Sequence, residues 1–461
     1  MIEPQINEAR QQRWLARSHL WTASTLKSVR CCGRLIGQGG IDDDTRESIE
    51  ITRKDHAAGF GGLATCGSVW ACPRCAAVIS FQRGIEIDRA IAECHRQNGH
   101  TYLCTLTVKH NPELHPEQIW NGVSSGWSSI VSDELWTGRS ARSKVVNGKK
   151  YSYPRKIGLR EALHIAGIVR VVETTVGPNG WHIHIHCLIF TTSEFGGDIE
   201  ESDISRILQV RTLDFSSSTQ RSIAASYVAS FWFRHWQEGV VKAHLPLPTT
   251  EGFDFREVVD DGSNFIGSYL AKNTFPISNR AALELTTGIT SKSGRDNNLT
   301  PFQILKQAIE SYPKFGFKTP KSWLVEYDLS PNQTPCIVDN RTGEVLEIKA
   351  PSPWAIWHTW ERISKGKRQI QWSHHIKAPK TDAEQLWNDI LNTRGRLQTD
   401  TELATKQVSR QTVAQVTRSA WYQQLVWNPL LIVSLLEAVE TASPQDATQN
   451  AMKWGKPTTY R

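Results

Sequence analysis

The chain has 461 residues, with 53 Lys+Arg against 46 Asp+Glu and a formal charge of +7. That length supports two to four domains with ample core, and the modest basic excess is compatible with a nucleic-acid partner. No apolar run reaches membrane length, and Met1-Ile2-Glu3-Pro4-Gln5 has no signal-peptide character, so the expectation is a cytoplasmic chain with no membrane partner. A phosphate-binding G-x-x-x-x-G-K-[ST] loop is absent, which excludes ATP hydrolysis by that route.

In chain order, residues 1 to about 30 read as an amphipathic helical arm. Short strands, glycine turns and cysteines follow to about 75. Ala76 to His95 carries Ile79, Ile85, Ile87 and Ile91 among Arg and Glu at helical spacing. Asn98-Gly99 turns the chain into a strand over Thr101–Val108, and Pro112 and Pro116 separate it from a helix around 117–133. Residues 138–156 are basic and read as a loop facing DNA, with Lys149, Lys150 and Arg155 as candidate contacts. Strands are expected at 168–175 and 181–190, helices at 199–210 and 219–238, and short strands at 241–247 and 253–259. Thr300 caps a helix that starts at Pro301. A small hairpin is expected at Asn340–Gly343. Residues 383–441 read as helical, with room for a helix-turn-helix over Thr399–Trp421. The whole order is α+β with a mainly antiparallel sheet. The 18 tryptophans suit stacking on single strands where they lie beside bases, although most are expected in the core.

Within this order, Gly180-Trp181-His182-Ile183-His184-Ile185-His186-Cys187 alternates histidine with apolar residues. Period two makes it a strand, and His182, His184 and His186 share one face. Imidazoles on one face can converge on a divalent ion. The preceding strand ends in the turn residues Val176-Gly177-Pro178-Asn179-Gly180. If the turn centres on Pro178-Asn179, Glu173 lies opposite His184 and joins the ligands, making a site of the Mg, Mn or Zn type. A bulge would move Glu173 to the other face.

Nine cysteines in a cytoplasmic chain favour thiols or metal over disulfides. Cys66, Cys72 and Cys75 fall within ten residues, and Cys32 lies upstream. These four suit a tetrahedral structural zinc, with Cys31 or His56 as substitutes. Further on, Tyr269 and Lys272 are three apart, on one helix face. A tyrosine oxygen can attack a phosphodiester and keep the 5′ phosphate, while a lysine offsets the charge.

Four stretches together resemble the plasmid rolling-circle replication initiators, Rep proteins of the HUH endonuclease class. They are Tyr102–His110, Glu173–His186, Tyr269-Leu270-Ala271-Lys272 and the Cys66–Cys75 segment after Cys32-Gly33-Arg34. The match covers roughly 25–380. It implies an antiparallel HUH nuclease domain, preceded by a cysteine-rich zinc-type module and followed by a helical appendage, with divisions at 1–95, 96–290, 291–380 and 381–461. It implies metal binding by His184 and His186 ahead of His182, and attack by Tyr269 with Lys272 beside it. The cofactors implied are Mg or Mn and a structural Zn. The partners implied are single-stranded or cruciform origin DNA, a host helicase and a host polymerase. The outcome would be a nick with a 5′-phosphotyrosine link and a 3′-hydroxyl primer. Two positions depart from relatives: Asn273 stands where phage-type members carry a second tyrosine, and Phe265 where some plasmid members carry a water-activating Glu.

Other readings are a transposase or relaxase of the same chemistry, a zinc-stabilised DNA-binding regulator, and a small-molecule metalloenzyme. The last two have no need of Tyr269-x-x-Lys272.

Overall fold

The computed structural model describes residues 2–54, 57–193, 223–258, 298–310, 336–339, 344–347, 353–395, 398–405 and 411–441. Tyr269, Lys272, His56 and the expected helix at 199–210 lie outside these residues.

The N-terminal helix α1 spans Ile2–Ala23. It is no free arm: Trp14, Leu20 and Trp21 are buried. Strands β1 (Ser48–Lys54) and β2 (Ala57–Gly61) lead to the long helix α2 (Pro73–Arg96). Strand β3 (His100–Thr107) is followed by helix α3 (Pro116–Val131). The basic stretch, expected as a loop, is a hairpin instead, of β4 (Arg142–Val146) and β5 (Lys149–Tyr153), paired antiparallel. The reason is local: Asn147 and Gly148 have φ of 51° and 78°, the left-handed pair that a two-residue hairpin turn requires. All ten strand residues are exposed.

Strands β6 (Ile165–Gly177) and β7 (Gly180–Thr191) form the long central hairpin. Helix α4 (Ile223–Lys242) follows; it buries Phe231, Trp232, Phe233 and Trp236. The strand expected at 241–247 is absent: the helix runs to Lys242, and His244 adopts φ 62° in the connection that follows. Strand β8 (Phe253–Glu257) returns to the sheet. In helix α5 (Pro301–Glu310), the Thr300 hydroxyl accepts from the Gln303 amide and the Gln303 side chain accepts from the Thr300 amide, a reciprocal cap. Cys336–Asp339 and Glu344–Glu347 pair as the small hairpin flanking Asn340–Gly343. Helix α6 (Pro353–Ser364), strand β9 (Ile370–Trp372) and helix α7 (Asp382–Arg394) complete the centre.

The central sheet has the order β8-β3-β7-β6-β9, antiparallel throughout. Period-two alternation divides its faces. One face presents Cys104, Leu106, Val172, Ile183, Ile185 and Cys187 to a core shared with Trp120 of α3 and Trp232 of α4. On the other, Leu103, Val169, Val171, Leu188 and Phe190 meet residues of α2 and α7, including Ile87, Leu386 and Trp387. That second cover ends before the β6–β7 turn, where the same face becomes Glu173, His184, His186 and Thr105.

The C-terminal region differs from a helical appendage. Residues 411–417 form strand β10, which pairs with β1 in a three-stranded sheet of order β10-β1-β2. The alternation of Val413 and Val416 about a bulge supplies an apolar face that α1, β1 and β2 need covered. This strand also excludes a helix-turn-helix over Thr399–Trp421. Helix α8 (Pro429–Thr441) closes the cluster, and Arg10 forms a two-pronged ion pair with Glu440 at 2.9 Å. Trp421 is fully buried against Phe60 (centroids 5.1 Å apart) and Trp14 (6.0 Å). We predict that Trp421→Ala costs about 3–5 kcal/mol in chemical denaturation. Limited proteolysis of the variant will cut first within β1, β2 or α8, and an unchanged midpoint would contradict this packing.

Candidate metal centres

The turn between β6 and β7 centres on Pro178-Asn179, with Gly177 paired to Gly180 and no register shift from there to Glu173. Gly180 has φ +85°, and a Cβ there would sit 2.6 Å from the Asn111 carbonyl, so glycine is required twice over. His110 Nδ1 lies 2.9 Å from the Asn179 carbonyl and docks the turn. This pins Glu173 opposite His184.

The three side chains converge. Glu173 Oε2 is 2.9 Å from His186 Nε2 and 3.3 Å from His184 Nε2, and the two imidazole nitrogens are 3.2 Å apart. Donor atoms about 2.1 Å from one ion lie about 3.0 Å apart when octahedral and about 3.4 Å when tetrahedral. The observed separations fall on that range. Both histidines are buried. Burial by itself would raise the Glu173 carboxyl, but hydrogen bonds and charge from His184 and His186 outweigh it and hold the group well below the usual carboxylate range. The site therefore offers a carboxylate and two imidazoles to a divalent cation.

His182 is not brought into this group. Its ring stacks on His184 (centroids 4.5 Å, 21°) and on His110 (5.0 Å, 25°), extending a row of imidazoles along the sheet. One supporting residue escapes the sequence reading. Thr105 Oγ1 is 2.9 Å from His186 Nδ1, across the β3–β7 pairing. With the proton on Nδ1, the ring donates to Thr105 and turns a bare Nε2 toward the ion. The signal is the alternation Thr101, Thr105, Thr107, which puts hydroxyls on the histidine face. His184 Nδ1 has no such partner among the described residues.

The second centre joins Cys32, Cys66, Cys72 and Cys75. Sulfur separations are 3.6 Å for Cys32–Cys75, 3.6 Å for Cys32–Cys72 and 3.7 Å for Cys66–Cys75. Thiolates about 2.3 Å from a tetrahedral zinc lie about 3.8 Å apart, whereas a disulfide needs about 2.05 Å. Cys31 is not in the group. Hydrogen bonds from Cys66, Cys72 and Cys75 hold the Cys32 thiol well below its usual range. Two guanidiniums flank the sulfurs: Arg74, from within the Cys72–Cys75 segment, and Arg17, which the sequence does not link to it. Buried Arg17 donates to the Cys32 carbonyl at 3.3 Å and lies 4.8 Å from the Trp14 ring and 4.7 Å from that of Trp21. Burial would lower the Arg74 pKa, but the Cys32, Cys75 and Cys72 thiolates raise it instead. Zinc with four thiolates carries two negative charges, which these two cations neutralise.

Lys149 and Lys150 lie on the exposed hairpin, and Arg155, at its base, pairs with Glu161. Among the described residues no helix is long and apolar enough to cross a membrane.

A curated relative, Protein rep of Streptomyces lividans, is 23% identical over 338 residues, which cover 68% of this chain and 63% of that protein. The match thus spans less than two thirds of the relative's length. No family model matches the chain. No solved structure matches it. The similarity is to a Rep-type protein, and the chain carries two side-chain groups suited to metal.

Purified protein is expected to contain about one zinc per chain by elemental analysis. Cys72→Ser should lose it and unfold at lower denaturant. Full zinc occupancy in that variant would contradict the tetrathiolate assignment.

Proposed function

We propose that this chain is a replication initiator of the HUH class that nicks one strand of origin DNA. The observation that carries the reading is the convergence of Glu173, His184 and His186 on one sheet face, within the stretch that resembles the second Rep motif. The similarity to Protein rep favours replication over transposition or conjugative transfer as the setting. Tyr269 is the proposed nucleophile and Lys272 its neighbour. A Mg or Mn ion held by Glu173, His184 and His186 would withdraw charge from the phosphate oxygens.

The protein's own groups would do the rest. The Tyr269 oxygen forms a bond to phosphorus, and the bond from phosphorus to the 3′ oxygen breaks. The tyrosine proton leaves to solvent or a nearby base, and the departing 3′ oxygen takes up a proton. The 5′ phosphate stays on the tyrosine, so bond energy is conserved for rejoining. The free 3′ hydroxyl then primes a host polymerase while a host helicase unwinds. The exposed hairpin supports DNA contact: Arg142, Lys144, Lys149 and Lys150 form no ion pair among the described residues, and residues 139–156 contain no carboxylate. Single-stranded or cruciform DNA is the proposed substrate, and the cysteine centre holds the N-terminal module in shape.

The test incubates the full chain with labelled single-stranded oligonucleotides tiling the DNA beside its gene, with and without Mn. Metal-dependent label on the protein in a denaturing gel, abolished by Tyr269→Phe, is the expected result. Binding with no covalent band on any oligonucleotide would favour a regulator.

A further inference from the structure

A cleft of about 980 Å³ opens at the sheet edge formed by β9, away from the metal centres. The ends of two covers overhang it. Trp127, Val131 and Trp136 form one wall, and Leu391 and Arg394 the other. Its charge is one-sided. Arg83, Arg160, Arg170, Arg368 and Arg394 line it, and Asp400 is the one lining carboxylate among the described residues. Asp400 is already paired with Arg83 at 3.1 Å. Arg160, Arg170, Arg368 and Arg394 form no ion pair among the described residues.

Glu86 pairs with Arg83 and offsets part of the charge on Arg394, as Glu384 does for Arg160. The remaining like charges repel and burial costs each cation solvation, so the cluster favours an anion. Burial lowers the pKa of Arg160, Arg170 and Arg394. Two of the guanidiniums are also held in place. Arg394 lies 4.6 Å from the Trp372 ring centroid, and Arg170 lies 5.7 Å from that of Trp127. Stacking fixes a long side chain before any ligand arrives, which lowers the entropy cost of binding.

The backbone adds donors. Gln369 O accepts from Val172 N, and Ser373 N donates to Ile168 O. By alternation, the Ile370 and Trp372 amides point away from β6, toward the open edge. His374 and His375 are exposed at the cleft and offer aromatic faces.

We propose that this cleft is a second nucleic-acid site, a groove for single-stranded DNA. Its phosphates lie against Arg368 and Arg394, and bases stack on the histidine rings. The choice of DNA as the polyanion rests on the nicking reading above. A cleft lined by several guanidiniums suits successive phosphates of one strand, where a mononucleotide would leave most of them unpaired. Arg170 is three residues from Glu173 on β6, so the two side chains leave opposite faces of the sheet. The groove would therefore hold DNA at a place distinct from the metal site while the metal site acts.

The test uses the full chain without added divalent metal and a fluorescein-labelled homothymidine oligonucleotide of about 12 nucleotides. Anisotropy is read across a salt series. Arg368→Gln with Arg394→Gln should weaken binding about tenfold. The pair should also reduce the slope of log affinity against log salt by about 1.4, or about 0.7 for each phosphate left without its guanidinium. Arg368 is exposed, so Arg368→Gln alone keeps the test valid if the double variant does not fold. Wild-type affinity and slope in a folded variant would overturn the groove. So would equal competition by thymidine monophosphate, which would mark a small-anion pocket. Cleavage of tiled origin oligonucleotides is scored in parallel. A wild-type protein that binds through these arginines yet never cuts would overturn the nicking reading and leave the groove standing.

Discussion

The register of one hairpin sets everything at the metal centre. Strands β6 and β7 are joined by Pro178-Asn179, and every pair from Gly177–Gly180 to Glu173–His184 follows from that turn. A one-residue slip would send Glu173 to the opposite face, into the core that holds Val172 and Ile185. The slip is blocked three times: by the apolar face that must stay covered, by the left-handed Gly180 against Asn111, and by His110 at the turn. The acid–imidazole site is thus specified by packing as much as by its own three residues.

The same sheet explains how polar groups persist beside a large core. One face is mostly apolar, with Arg170 and Thr174 as exceptions, and the other is apolar only where α2 and α7 reach it. Beyond their reach Glu173 keeps partial exposure, while Thr105 on the next strand satisfies His186. The cysteine centre sits on the other side of the apolar cluster, at the start of α2. Helix α1 and the 411–441 segment enclose their own core, and buried Glu361 ties the chain after α1 to α6 by accepting from Ser24 Oγ (2.6 Å) and Thr25 N (2.9 Å). Burial raises the Glu361 pKa, so this tie is made against a desolvation cost that the hydrogen bonds offset in part.

Some of this is legible in the sequence for clear reasons. Three histidines at period two have one strand reading, and turn residues with two central positions have one register. Four cysteines leave few metal sets. Long-range pairing is not legible. Strand β10 meets β1 across more than 350 residues, and nothing local in Gln411–Thr417 distinguishes it from a helix end except its β-branched residues. The β4–β5 hairpin reads as a loop because its charges mask the Asn147-Gly148 signal. The tryptophans go mostly to the core, as Trp70, Trp120, Trp181 and Trp360 do in one cluster. Arg17 beside the thiolates, and the arginine cleft, come from elements far apart in sequence and have no signature in any one of them.

The central claim is that Glu173, His184 and His186 hold one divalent cation. Pulsed electron paramagnetic resonance on the full chain loaded with one equivalent of Mn tests it most directly. The account predicts nitrogen couplings from two imidazoles, reduced to one by His184→Ala and abolished by the double variant with His186→Ala. A Mn signal without nitrogen coupling, or one unchanged in the double variant, would contradict it.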